Sequence, residues 1–120
     1  MILVKVCIAG SRGFNNYDLL RETLDKILKD YEGHEVQIVS GGAEGADKLG
    51  ERYSKERGMG LKQFIPNWDE LGDSAGHRRN VEMAYYSDWV VCFWDGSSKG
   101  TRGMINASRR AGKVVHEIRY

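Results

Sequence analysis

The 120 residues are 41% hydrophobic and 29% charged, a composition typical of a folded globular domain and far from that of disordered or collagen-like chains. Eighteen lysines and arginines oppose 17 aspartates and glutamates, so the net charge of +1 gives no overall field that would attract DNA or a membrane. We therefore expect a single domain over residues 1–120, without a nucleic acid or membrane partner, in which any anion-binding site is formed locally.

The first residues of the chain and the two cysteines are informative about the cellular location of the protein. Residues 1–8 are apolar but contain Lys5, and they predict a strand rather than a signal peptide or a membrane span. Cys7 and Cys92 each lie in an apolar run, with no CxxC partner and no nearby histidine. We expect buried thiols, a cytoplasmic location, no metal site and no cofactor.

Five short runs rich in apolar and β-branched residues predict five strands. They cover residues 2–8, 36–39, 61–65, 89–94 and 113–118. The first and fourth runs are almost continuously apolar, which is typical of strands that helices cover on both faces.

Segments with helical spacing alternate with these strands. From Leu20 onwards, apolar residues recur at i, i+4, i+7 and i+11 and predict the first helix. Further helices are predicted over residues 44–57, 76–86 and 101–111. Gly58 and Gly112 are placed to end two of them. The alternation predicts an α/β fold, a three-layer Rossmann-like sandwich of about five parallel strands with helices on both faces.

The connection over residues 66–75 is polar and longer than the usual βα loop of about 2–6 residues. We predict that it closes over a ligand, with Trp68 stacking on the base. The alternative is that Trp68 fills one end of the core, and the sequence does not separate the two.

Eight of the 15 glycines follow the first, second and fourth predicted strands or open the next helix. They are Gly10, Gly13, Gly41, Gly42, Gly45, Gly96, Gly100 and Gly103. Ligands of parallel sheets bind beyond the carboxyl ends of strands, where glycine lets them approach backbone amides and the helix N-terminus supplies N–H donors. This clustering predicts a phosphate-binding site; the alternative is that the glycines serve tight packing alone.

Three loops supply most of the predicted ligand-binding residues. These are Gly10, Ser11 and Arg12 after the first strand, Ser40, Gly41, Gly42, Ala43, Gly45 and Asp47 after the second, and Gly96, Ser97, Lys99, Gly100 and Thr101 after the fourth. Lys99 precedes Gly100, so the third loop is not a Walker A motif, and no loop matches GxGxxG. Arg12 and Lys99 offer charge to a phosphate, with a solvated surface position as the alternative for each.

Two arginines lie in the first turn of the helix that is predicted over residues 76–86. The helix dipole disfavours Arg78 and Arg79 there unless an anion is bound. We expect Arg79 and Asn80 to contact the ligand and Arg78 to point outward, with a basic solvated face as the alternative. Asp47 either stabilises the start of its own helix or accepts hydrogen bonds from ribose hydroxyls.

Four segments, taken together, resemble the YspA-type branch of the SLOG superfamily over nearly the whole chain. They are Gly-Ser-Arg at residues 10–12, the loop at residues 40–47, Arg-Asn with Met83 at residues 79–83, and residues 93–101. The superfamily includes the lonely-guy phosphoribohydrolases and the DNA-processing protein A group. The resemblance implies a Rossmann-like fold that binds nucleotides or their derivatives, and it makes a homodimer the expected assembly.

The resemblance to the hydrolase branch fails at its catalytic acid. Arg79, Gly100 and Thr101 match residues of that branch, but its catalytic glutamate is replaced by Met104 and the lysine after its arginine by Asn80. A thioether has no proton to exchange and no charge to stabilise an oxocarbenium-like transition state.

We therefore expect a module that binds or senses a nucleotide-derived small molecule, such as a nucleotide, an ADP-ribose-like or an NAD-derived ligand, rather than an enzyme. One alternative is an N-glycosidic hydrolase of nucleoside monophosphates that uses Glu44 or Asp47 together with Arg79. A second alternative is a protein-interaction module built on the same fold.

Overall fold

The structure, a computed structural model, describes residues 2–120 apart from the side chain of Asp73. Within this range the strands are β1 (Leu3–Gly10), β2 (Glu35–Ser40), β3 (Gly60–Gln63), β4 (Trp89–Trp94) and β5 (Val114–Arg119). The α-helices are α1 (Tyr17–Leu28), α2 (Ala46–Glu56), α3 (Trp68–Leu71), α4 (Ala75–Tyr86) and α5 (Lys99–Arg110). Short 3-10 turns follow α1 at Lys29–Tyr31 and α3 at Gly72–Ser74.

The strands form one parallel sheet in the order β3-β2-β1-β4-β5. β1 is central, and Cys7 lies between Val39 of β2 and Val90 of β4. The chain winds outward from β1 to β3 and then returns to start again at β4, so the winding reverses between β1 and β4. The predicted Rossmann-like α/β arrangement is confirmed.

Two hydrophobic cores lie on opposite faces of the sheet. One contains Leu20 and Leu24 of α1 with Tyr53 of α2. The other contains Met83 of α4 and Met104 of α5. All six residues of β4 are buried, as its continuous apolar run predicted, because helices cover both of its faces. No helix within residues 2–120 is long and apolar enough to cross a membrane.

Two helix boundaries differ from the prediction by two residues. α2 begins at Ala46 rather than at residue 44, because Gly45 has φ +82° and therefore cannot be part of the helix. α5 begins earlier, at Lys99, because the hydroxyl of Ser98 caps it and accepts a hydrogen bond from the Thr101 amide at 3.4 Å.

The segment after β3 is not the irregular loop that was predicted. It forms α3 and a 3-10 turn, and the Asn67 side chain caps α3 by accepting a hydrogen bond from the Glu70 amide at 3.2 Å. A four-residue helix is too short to produce a periodic signal in the sequence. Trp68 is 51% exposed, so the interpretation that it fills one end of the core is wrong.

Candidate functional site

A cavity of about 490 Å³, here called the main cavity, lies at the carboxyl ends of β1 and β4. It is therefore placed where the winding of the sheet reverses, the usual ligand position in open parallel sheets. Its walls come from the turn after β1, the start of α2, the middle of α4 and the start of α5. The lining residues are Ala9, Gly10, Ser11, Arg12, Gly13, Ala43, Asp47, Arg79, Asn80, Met83, Asp95, Ser98, Gly100, Thr101 and Met104.

The turn after β1 packs directly against β4 and the start of α2. A Cβ atom on Gly10 would collide with the Phe93 carbonyl, and one on Gly45 would collide with the carbonyls of Ser11 and Arg12. The Ser11 amide donates to the Phe93 carbonyl at 3.0 Å, which fixes the turn to β4. At Gly10 and Gly45 the absence of a side chain therefore allows close packing of the backbone, and Gly45 does not line the cavity.

Arg79 of α4 reaches across to the loop after β2. Its Nη1 donates to the Gly41 carbonyl at 2.8 Å, and its Nε donates to the Asn80 Oδ1 atom at 3.0 Å. A Cβ on Gly41 would meet the guanidinium carbon at 2.7 Å, so only glycine leaves room for this contact. The two hydrogen bonds hold a half-buried positive charge at the wall of the cavity.

Asp47, in the first turn of α2, is 5% exposed and lines the same cavity. Its Oδ2 accepts a hydrogen bond from the Ala43 amide at 3.3 Å. Burial raises the pKa of Asp47 to about 6, although the Ala43 and Gly41 amides and the charge of Arg79 act in the opposite direction. The carboxyl group of Asp47 therefore titrates near pH 6.

The start of α5 presents a second set of polar groups. The Asp95 carboxylate accepts hydrogen bonds from the Ser97 amide at 2.9 Å and the Ser98 amide at 2.8 Å. These bonds lower the pKa of Asp95 and keep it ionised. The Asn80 side chain, 8% exposed, donates to the Gly100 carbonyl at 3.3 Å and so ties α4 to this helix start. The first amides of α5 have no acceptor within the helix.

The structure brings together about half of the predicted ligand-binding residues around this cavity. Those that line it are Gly10, Ser11, Arg12, Ala43, Asp47, Arg79, Asn80, Gly100 and Thr101. Those outside the lining are Ser40, Gly41, Gly42, Gly45, Trp68, Gly96, Ser97 and Lys99. Glu44, the alternative catalytic acid, is exposed and also lies outside the lining. The ligand contacts themselves stay predictions.

Several of the predicted residues that lie outside the cavity lining make hydrogen bonds within the protein. The Ser40 hydroxyl donates to Glu51 at 2.7 Å and accepts from the Gly42 amide at 3.1 Å, which braces the loop after β2. The Ser97 amide is already taken by Asp95. The carboxylate of Asp95 thus occupies amides within the loop that was predicted to contact a phosphate.

Six lining residues were not among the predicted ligand-binding residues, and the sequence contains a signal for four of them. The six are Ala9, Gly13, Met83, Asp95, Ser98 and Met104. Asp95 is the first residue after a buried strand, the position where parallel sheets place functional side chains. Ser98 precedes a helix and is its cap. Met83 and Met104, each 1% exposed, belong to the core and also line the cavity. Within the described residues, no group of three or more His, Cys, Asp or Glu could hold a metal ion.

Comparison with known proteins gives two matches. The family model described as the YspA, cpYpsA-related SLOG family matches residues 4–71. The chain is also 30% identical over 118 residues to the Gene 61 protein of Mycobacterium phage D29, covering 92% of this chain and 93% of that protein. No solved structure matches the chain. The family match includes β1, β2 and the loop with Asp47, and it ends before α4.

Proposed function

The chain belongs to the YspA, cpYpsA-related SLOG family, and from that premise we propose that its main cavity binds a nucleotide-derived small molecule. The observation that carries the proposal is the position of the Arg79 guanidinium, held by Gly41 and Asn80 in the wall of a cavity that also includes the first turn of α5, at the point where the winding reverses. A cation and a first-turn helix amide that has no acceptor within the helix, that of Gly100, then share one cavity, as phosphate binding requires.

The geometry suggests a division of the cavity between the parts of such a ligand. The first amides of α5, next to Thr101, and the guanidinium of Arg79 are suited to the phosphate. Asp47, on the α2 side, is suited to accept hydrogen bonds from ribose hydroxyls. Met83 and Met104 supply an apolar surface for the remaining part of the ligand.

Binding without chemistry is the simpler role for this set of side chains. At the position where the hydrolase branch of the superfamily carries its glutamate, the cavity has the thioether of Met104. Asp95 is held ionised by backbone amides and so is a poor proton donor. The cavity is open rather than collapsed, which favours ligand binding over the interaction-module alternative.

The test is isothermal titration calorimetry and thermal unfolding against a panel of mononucleotides, nucleoside diphosphate sugars and NAD derivatives. A ligand at about a hundred times its dissociation constant should add roughly 2.7 kcal/mol to the free energy of unfolding. Arg79→Gln should weaken the binding of phosphate-containing ligands at least tenfold. Arg110→Gln removes an exposed charge at the far end of α5 and should have no effect. If no panel member binds, the proposal fails.

A second candidate function is supported by the environment of Asp47. A buried carboxyl group with a pKa of about 6 in a ligand-sized cavity is suited to donate a proton to a leaving base. The candidate is hydrolysis of the N-glycosidic bond of a nucleoside monophosphate, with Asp47 as the acid. Glu44 is exposed and does not line the cavity, so it is less suited to this role.

Incubation with nucleoside monophosphates, followed by chromatography for free base, decides between binding and hydrolysis. Base release by the wild type that is lost in Asp47→Asn and retained in Glu44→Gln would establish the enzyme. Binding without base release leaves the binding function as proposed.

A further inference from the structure

A second cavity of about 380 Å³ adjoins the main one. It lies between α4 and the segment from Phe64 to Leu71 that follows β3. Arg79 lines both cavities, so a ligand in the main cavity and a group in the second one would both contact this residue.

The lining of the second cavity differs in chemistry from that of the first. Phe64, Ile65 and Pro66 give it an apolar surface, and Ile65 is 63% exposed to solvent. Glu70 and Glu82 add carboxylates to the lining, Asn67 adds an amide, and Arg78 and Arg79 add positive charge. An apolar patch among hydrogen-bond acceptors and donors suits a sugar or base ring, which packs one face and hydrogen-bonds through its hydroxyl or amino groups.

Gly41 and Gly42 of the loop after β2 line neither cavity, but each lies directly against a residue that does. A Cβ on Gly42 would meet the Ile65 Cδ1 atom at 2.7 Å, and a Cβ on Gly41 would overlap the guanidinium of Arg79. Among the hydrogen bonds of the described residues, Nε and Nη1 of Arg79 are engaged and Nη2 takes part in none. That nitrogen is left to bind a phosphate oxygen at the boundary.

We propose that the second cavity binds the second ring of a two-ring ligand, a nucleoside diphosphate whose terminal phosphate carries a further sugar. The inference rests on the proposed function, because it assumes a phosphate in the main cavity. The diphosphate lies against Arg79, one ring occupies the main cavity, and the other packs on Ile65 near Glu70 and Glu82. A nucleoside monophosphate reaches only one of the two cavities.

Calorimetry with matched ligand pairs tests this assignment. The pairs are AMP with ADP-ribose, UMP with UDP-glucose, and GMP with GDP-mannose. For the correct base, the two-ring ligand should bind the wild type at least tenfold more tightly than the monophosphate. Ile65→Glu should remove that advantage and leave monophosphate affinity unchanged. Ile2→Glu is the matched control, because Ile2 has nearly the same exposure, 62%, and lines neither cavity.

The possible results distinguish the two-ring ligand, its placement in the second cavity and the proposed function. Equal affinity for the two members of every pair that binds would overturn the two-ring assignment while leaving the proposed function intact. A two-ring advantage that survives Ile65→Glu would place the second ring elsewhere and overturn the assignment to this cavity. If no member of any pair binds, the proposed function fails together with this inference.

Discussion

Replacing Asp47 by asparagine should make the protein more stable at neutral pH. The pKa of Asp47 is about 6 in the folded protein, against an ordinary value of 3.8, because burial penalises its charged form. The folded state therefore binds this proton more tightly than the unfolded chain, and the contribution of Asp47 to the free energy of unfolding decreases as the pH rises from about 4 to about 6. At about 1.4 kcal/mol per pH unit, the full loss is about 3 kcal/mol.

Urea unfolding at a series of pH values from 4 to 8 measures this loss. It appears as the difference in the free energy of unfolding between Asp47→Asn and the wild type. The difference should be small at pH 4 and should grow in favour of the variant until it levels off above pH 7. Glu44→Gln, in the same loop but exposed, should follow the wild type. A difference that does not change with pH would show that attraction to Arg79 cancels the effect of burial, and one that grows in favour of the wild type would show that the attraction outweighs it.

Three further substitutions test packing and the segment after β3. Gly45→Ala should lower the free energy of unfolding by at least about 1–3 kcal/mol in urea, because a Cβ at φ +82° meets the carbonyls of Ser11 and Arg12. Gly58→Ala, where φ is +64° and the surroundings are open, should cost less. Trp68→Ala should change stability little, because the side chain is 51% exposed, and calorimetry should show a loss of roughly 1–3 kcal/mol in ligand affinity if the indole stacks on a base.

Much of the fold could be predicted because the signals were local. The continuous apolar run of β4 and the helical spacing that starts at Leu20 each lie within a short stretch of sequence. α3 could not be predicted, because four residues are too few for a period. Its cap at Asn67 was visible, but asparagine also occurs in turns and does not specify a helix by itself.

The candidate site was predicted only in outline, because its details depend on contacts between distant parts of the chain. The interpretation identified Arg79 from the helix dipole, but its bond to Gly41 joins residues 38 positions apart. The role of Gly45 depends on the carbonyls of the turn after β1, which no local pattern indicates. Asp95 was given no role because its bonds to the Ser97 and Ser98 amides depend on how the loop folds, which the sequence does not indicate.

The burial of both thiols also makes this protein convenient for site-specific labelling. Cys7 and Cys92 are fully buried within the sheet, and burial raises the pKa of Cys92 to about 12, so neither presents a thiolate to an alkylating reagent. A cysteine introduced at an exposed position can therefore carry a single fluorophore while the native thiols stay in place. Ile65 is such a position, and a dye there would report directly on the second cavity.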